Sequence, residues 1–100
     1  MATFIDALNK AFDNRVRLGI MSLLLLHSSV DFNTLKKHLA LSDGNLSSHM
    51  AALERERYIS VKKKFIKSKP NTSYSVTALG RKAFKAHIAA LEKIINNNIK

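Results

Sequence analysis

One hundred residues with 46 % hydrophobic side chains suffice for one small domain with a single core, which excludes a wholly disordered chain. The absence of cysteine excludes disulfides and thiolate metal sites and fits a reducing, cytoplasmic setting. Seventeen bases against seven acids give a net charge of +10, a field that favours a polyanionic partner.

The opening stretch, MATFIDALNK, carries Asp6 and no apolar run of signal-peptide length. Phe4, Ile5, Leu8 and Phe12 recur near helical period, which predicts an amphipathic helix over 3–13. Asn14 can cap a second helix, with Arg15 and Arg17 in its first turn and an almost wholly apolar body to Leu26. A helix apolar on nearly every side is central and buried. Its greasiest run, Leu18 to Leu26, spans nine residues, about half of what a bilayer crossing requires. No membrane is expected as a partner. HSSVDF breaks this helix, Val30 to Phe32 is a candidate short strand, and Asn33 or Thr34 starts a third helix through Leu35, Leu39 and Ala40.

LSDGNLSSHM then turns into a fourth helix, about 43–57, capped by Ser42 or Asp43, with Leu46, Met50 and Leu53 at i, i+4 and i+7. Beyond it the hydrophobic period falls toward 2. Ile59, Val61 and Phe65 share one strand face, and Tyr74 and Val76 alternate inward on the next strand. KSKPNTS reads as the turn of a hairpin with a long basic loop, Pro70 and Asn71 marking its tip. Lys63 falls on the face of Val61 and Phe65, so either a bulge intervenes or that face leaves the core. Thr77 caps a last helix over about 78–97.

Two short helices joined by LALSDGN form a helix-turn-helix, in which the second helix lies in the DNA major groove. Its side opposite Leu46, Met50 and Leu53 carries Gly44, Asn45, Ser48, Ala51, Ala52 and Arg55. These are residues small enough for close approach, with an amide, a hydroxyl and a guanidinium that can reach base edges or phosphates. Each signal has a plainer reading. Ser47 and Ser48 suit any solvated helix, His49 borders the buried face, and the hairpin lysines would also protect an edge strand from aggregation. What favours DNA is coincidence. Nine bases and no acid lie between Arg57 and Leu91, so the net charge is concentrated just after the polar helix face. The histidines at 27, 38, 49 and 87 lack ligand spacing, so neither a metal nor another cofactor is expected.

At these residues the chain resembles winged helix-turn-helix transcriptional regulators of the MarR/ArsR kind. The likeness runs over NRVRLGIMSLLLL, FNTLKKHLALSDGNLSSHMAALERERYISVKKKF and KPNTSYSVTALGRKAF, roughly Asn14 to Gly80. It implies a mainly α chain with a small β-hairpin (α+β), a single domain over 1–100. An N-terminal helix (1–13), a winged core (14–77) and a C-terminal helix (78–100) divide it. It also implies Asn45, Ser47, Ser48 and His49 toward the major groove, where Arg55 of the same helix can read base edges or grip phosphate. The wing, about 62–73, would set Lys62, Lys64, Lys67, Lys69 and Asn71 on the minor groove or backbone. Such families usually hold glycine where Arg57 stands, to end the recognition helix in a left-handed conformation. Here a non-glycine must do so, or the helix ends differently. The thiol ligands of metal-sensing relatives are absent.

Phe84, Ile88, Leu91 and Ile95 are spaced 4, 3 and 4, an a/d seam of two heptads. With the apolar face of Phe4 and Leu8 it predicts terminal dimerisation helices, a homodimer and a palindromic double-stranded operator. The expected function is sequence-specific DNA binding as a regulator, with no effector identified. The alternative is a winged-helix protein-interaction module that meets an acidic partner. RNA suits a rigid recognition helix less well. Few acids, no nucleophile–base pairing and no glycine-rich phosphate loop speak against an enzyme.

Overall fold

The computed structural model describes residues 4–96. Two short 3-10 turns, Phe4–Ala7 and Lys10–Phe12, open the fold in place of the continuous helix expected over 3–13. The break lies at Asn9, whose side chain accepts a bond from the Ala11 N–H, 2.8 Å, and so caps the second turn. There follow α1 (Arg15–Leu26), β1 (Val30–Asp31), α2 (Phe32–Leu39), α3 (Asp43–Arg55), β2 (Ile59–Ile66), β3 (Lys69–Val76) and α4 (Ala78–Asn96). The strands form one antiparallel sheet in the order β1-β3-β2. The α+β winged architecture expected from the sequence is the one observed. The expected end of the last helix, at 97, lies outside the described residues.

Asn14 caps α1 by accepting from the Val16 and Arg17 N–H groups at 2.8 and 3.2 Å, as its position suggested. Only one side of α1 is fully buried, through Ile20, Met21 and Leu24, while Leu26 is exposed. The third helix starts earlier than expected, because Asp31 is its cap and accepts from the Thr34 N–H at 2.7 Å. Phe32 therefore begins α2 and the strand shrinks to two residues. Bonds from the Thr34 hydroxyl and backbone hold the Asp31 carboxyl below its ordinary range.

α2 and α3 both end on a left-handed residue that is not glycine, Ala40 with φ 52° and Arg57 with φ 62°. At the end of α3 the Arg57 N–H donates to the Glu54 carbonyl at 2.9 Å and the Tyr58 N–H to the Leu53 carbonyl at 3.1 Å. Those two bonds define a Schellman closure. Arg57 thus does what glycine was expected to do, and α3 stops at Arg55 rather than 57. Such a conformation costs a non-glycine residue about 1–2 kcal/mol.

β2 and β3 pair without a bulge from Ile59–Val76 to Ile66–Lys69. The hairpin therefore turns on two residues, Lys67 and Ser68, both at positive φ (52° and 66°), which is a type I′ turn. Pro70 and Asn71, expected at the tip, are instead strand residues opposite Phe65 and Lys64. The pair flanking a two-residue turn exchanges both hydrogen bonds, so the next pair, Phe65–Pro70, is a non-bonded one. No ladder bond is lost at the proline. Lys63 is exposed because its face leaves the core, not because of a bulge.

The core gathers Ile20, Met21 and Leu24 of α1, Leu35 of α2, and Leu46, Met50 and Leu53 of α3. Val30, Ile59, Tyr74, Phe84 and Phe12 join it. Phe12 is 1 % exposed, and its ring lies 5.2 Å from both Tyr58 and Phe84 and 5.5 Å from His87. Asn9 ties the same elbow. Its N–H donates to His87 Nδ1 at 2.9 Å and its side-chain amide to the Tyr58 hydroxyl at 2.9 Å. Thr77 joins α4 to the end of α3: its hydroxyl donates to the Arg57 carbonyl at 2.7 Å and accepts from the Gly80 N–H at 2.9 Å. A Cβ at Gly80 would overlap the Tyr58 carbonyl, so only glycine allows this approach.

Candidate nucleic-acid interface

α3 begins at a defined cap. Ser42 Oγ accepts from the Asn45 N–H at 3.2 Å, and Asp43, in the first turn, pairs with Lys36 of α2 at 2.7 Å. At about 100° per residue, the buried arc of α3 runs through Ala52, His49, Leu53, Leu46 and Met50. Ala52, expected on the outward face, is 7 % exposed and belongs to the core side. The exposed arc holds Asp43, Glu54, Ser47, Ala51, Gly44, Arg55 and Ser48. Its middle, around Ser47 and Ala51, is turned toward the wing by more than the sequence pattern suggested.

His49 is half-buried and faces inward. Its Nδ1 accepts a bond from Arg17 Nε at 3.2 Å, which links α3 to α1. Burial, and then the Arg17 guanidinium, push its pKa below the ordinary histidine value. Arg17 also donates to the Ala11 carbonyl at 3.4 Å, so one guanidinium connects the first segment, α1 and α3. Sequence reasoning gave Arg17 no such role, since its partners lie 6 and 32 residues away.

Between α3 and the hairpin lies an open groove of about 480 Å³. Ser47, Ala51 and Glu54 form one wall and Val61, Lys63, Thr72 and Tyr74 the other. Burial, and then the Glu54 carboxylate, raise the Tyr74 pKa, so its hydroxyl stays a neutral donor. Lys63, Glu54 and Thr72 were missed as candidate contacts. Helix and strand periods are visible in the sequence, but which helix face meets which strand face is not.

Strand alternation sends Lys62, Lys64, Lys69 and Asn71 to the opposite hairpin face. Lys67 stands in the turn, and these lysines are all exposed, with Asn71 half-buried. Asn45, Ser47, Ser48 and Arg55 are exposed on α3. The structure thus presents a small-residue helix face, a groove and a projecting basic hairpin. Among the described residues no group of histidines and acids could hold a metal ion, and no helix is long and apolar enough to cross a membrane.

A recognition helix beside a β-hairpin wing defines the winged helix-turn-helix class. The chain belongs to the winged helix DNA-binding domain family, whose profile matches residues 16–95. It is 38 % identical over 88 residues to an uncharacterized protein of Methanocaldococcus jannaschii, covering 88 % of this chain and 96 % of that one. Its fold superposes on a transcriptional regulator homologue from Pyrococcus horikoshii with a TM-score of 0.80 and 34 % identity, over 87 % of this chain and 86 % of that one. The YusO protein from Bacillus subtilis shares the fold at a TM-score of 0.75 and 13 % identity, over 96 % and 67 % of the two chains.

Proposed function

We propose that the protein is a homodimeric transcriptional regulator that reads a palindromic DNA operator. The observation that carries the reading is the exposed arc of α3, with Ser47, Ser48 and Arg55, and the exposed Asn45 of its first turn, set beside a hairpin whose lysines are all exposed. The arc enters the major groove, and its amide, hydroxyls and guanidinium reach base edges. Lys62, Lys64, Lys67, Lys69 and Asn71 contact the backbone or minor groove and supply salt-dependent affinity. His49 acts behind the surface by holding α3 against α1 through Arg17.

The dimer reading draws on the termini. Phe84 is 5 % exposed and Ile88 packs against the same core, so these two seam positions are occupied within the chain. Leu91 is half-buried and Ile95 is 74 % exposed, near the end of a helix of 19 residues, about 28 Å long. A second copy covers that stretch, with Leu8 at its margin; the side chain of Phe4 lies outside the described residues. The molecule is elongated, 58 × 25 × 22 Å.

The test is a specificity ratio, measured by paired titrations of a duplex selected from random sequence and a scrambled duplex at one salt concentration. Asn45→Ala and Ser48→Ala should leave the melting temperature nearly intact. They should also narrow the ratio by the equivalent of about 1–3 kcal/mol per lost base contact. An undiminished ratio in both variants would remove this helix face from base reading. Sedimentation at tens of micromolar checks the dimer, since a monomeric wild type defeats it.

A further inference from the structure

The tip of the wing is not merely basic. Phe65 is 75 % exposed and Ile66 46 % exposed, at the end of the hairpin where no core remains to cover them. Phe65 lies on the same strand face as Val61 and Lys63, the face that walls the groove beside α3. Pro70 stands directly opposite in a non-bonded pair, where cross-strand side chains approach most closely. An aromatic ring and a pyrrolidine ring therefore form one apolar edge. Lys63 on the same face and Lys67 in the turn, both exposed, flank it, while Lys62, Lys64 and Lys69 project from the opposite face of the hairpin.

We propose that Phe65, backed by Pro70, is a wedge that the wing inserts between base pairs from the minor groove, unstacking one step and kinking the duplex. This rests on the DNA-binding reading above. The complement of an apolar edge flanked by cations is an apolar surface with an anionic rim. A base step between two phosphate backbones is that surface. Two strands about 4.8 Å apart, with their side chains, are too broad for a minor groove about 6 Å wide. Entry of the hairpin end therefore widens the groove, and Phe65 finds apolar contact there only if the stack opens. The hairpin is built to hold such a load. Its pairing is unbroken from Ile59–Val76 to Ile66–Lys69, and a two-residue turn closes it. From Val61, the last half-buried residue of β2, to Ile66 it projects about 17 Å.

The experiment uses the full chain and the duplex it selects from random sequence. Bending is read by energy transfer between end labels, and unstacking by 2-aminopurine placed in turn at pyrimidine–purine steps outside the half-sites. Wild type should bend the duplex by about 20–90° and brighten one probe. Phe65→Ala should abolish both signals and weaken binding about tenfold, with an unchanged melting temperature. Phe65→Leu should retain part of the bend. Lys67→Ala with Lys69→Ala should weaken binding yet keep it. A wild type that binds the selected duplex with neither bend nor brightening overturns the wedge and leaves the DNA-binding reading standing. So does a Phe65→Ala protein that melts several degrees lower but bends the duplex fully, because the ring is then structural. A protein that prefers no duplex over a random pool overturns both readings.

Discussion

The elbow where the first segment, α3, β2 and α4 meet contrasts with the surface formed by α3 and the wing. In the elbow Phe12, Tyr58, Gly80, Phe84 and His87 touch through rings, carbonyls and hydrogen bonds, and Phe12 and Phe84 are 1 % and 5 % exposed. On the surface Ser48, Arg55, Lys64 and Lys67 are exposed to solvent. Shape governs one region and accessible chemistry the other. The difference teaches that changes in the elbow should act on folding, and changes on the surface on binding.

The strongest way to break this division is Phe12→Ala. Removing a fully buried ring costs about 3–5 kcal/mol, a large part of a domain's total stability. Urea denaturation should show a much lower midpoint, and any protein that stays folded should keep its ratio of selected to scrambled duplex. A changed ratio at intact stability would place Phe12 in recognition instead.

Gly80→Ala should come next. The added methyl meets backbone, which cannot swing aside, so a loss toward the upper end of about 1–3 kcal/mol is expected for overpacking. A thermal melt checks it. An unchanged transition would mean that α4 shifts off the Tyr58 carbonyl without cost.

Arg57→Gly sharpens the comparison in the other direction, because it lies on the rim between the two regions. Glycine takes φ near 62° without strain, so stability should rise by about 1 kcal/mol, less the added freedom of the unfolded chain. That corresponds to a melting temperature a few degrees higher. A lower one would show that the Arg57 side chain contributes more than its backbone strain removes.

The smallest expected effect is on pH dependence. His49 is held below its ordinary pKa by burial and by Arg17, so the unfolded chain binds the proton more readily. Its contribution is full above about pH 6.5 and is lost as pH falls through the folded pKa. Urea midpoints between about pH 7.5 and pH 5.5 should therefore decline on acidification, and less steeply in His49→Gln. Equal slopes would exclude His49 as the source. The Asp31 carboxyl, also depressed, acts in a separate and more acid window, below about pH 4.

The caps and periods that the sequence displays outright were readable. Asn14 caps α1 and Ser42 caps α3, because each is a short polar side chain just ahead of a helical hydrophobic frame. Leu46, Met50 and Leu53 mark the buried side of α3, and Ile59, Val61, Tyr74 and Val76 the inner face of the hairpin. These signals are local, carried by a few consecutive residues and the geometry of one turn or one strand.

What tertiary structure decided is the relation between such segments. The wing turns at Lys67 and Ser68, residues without strong turn preference, because packing Ile59 and Val61 opposite Val76 and Tyr74 sets a register that leaves two residues for the turn. Pro70, the stronger local turn signal, is carried into a strand position where it loses no bond. The first segment breaks at Asn9 because Phe12 has a place among Tyr58, Phe84 and His87, and that contact spans most of the chain. The face of α3 that reaches solvent likewise stops short of Ala52. Periodicity locates a buried stripe, but its width depends on what packs beside it, and Arg17 with the first segment extends it toward His49. Local sequence chose the elements, and long-range packing chose their register, their ends and the side each turns outward.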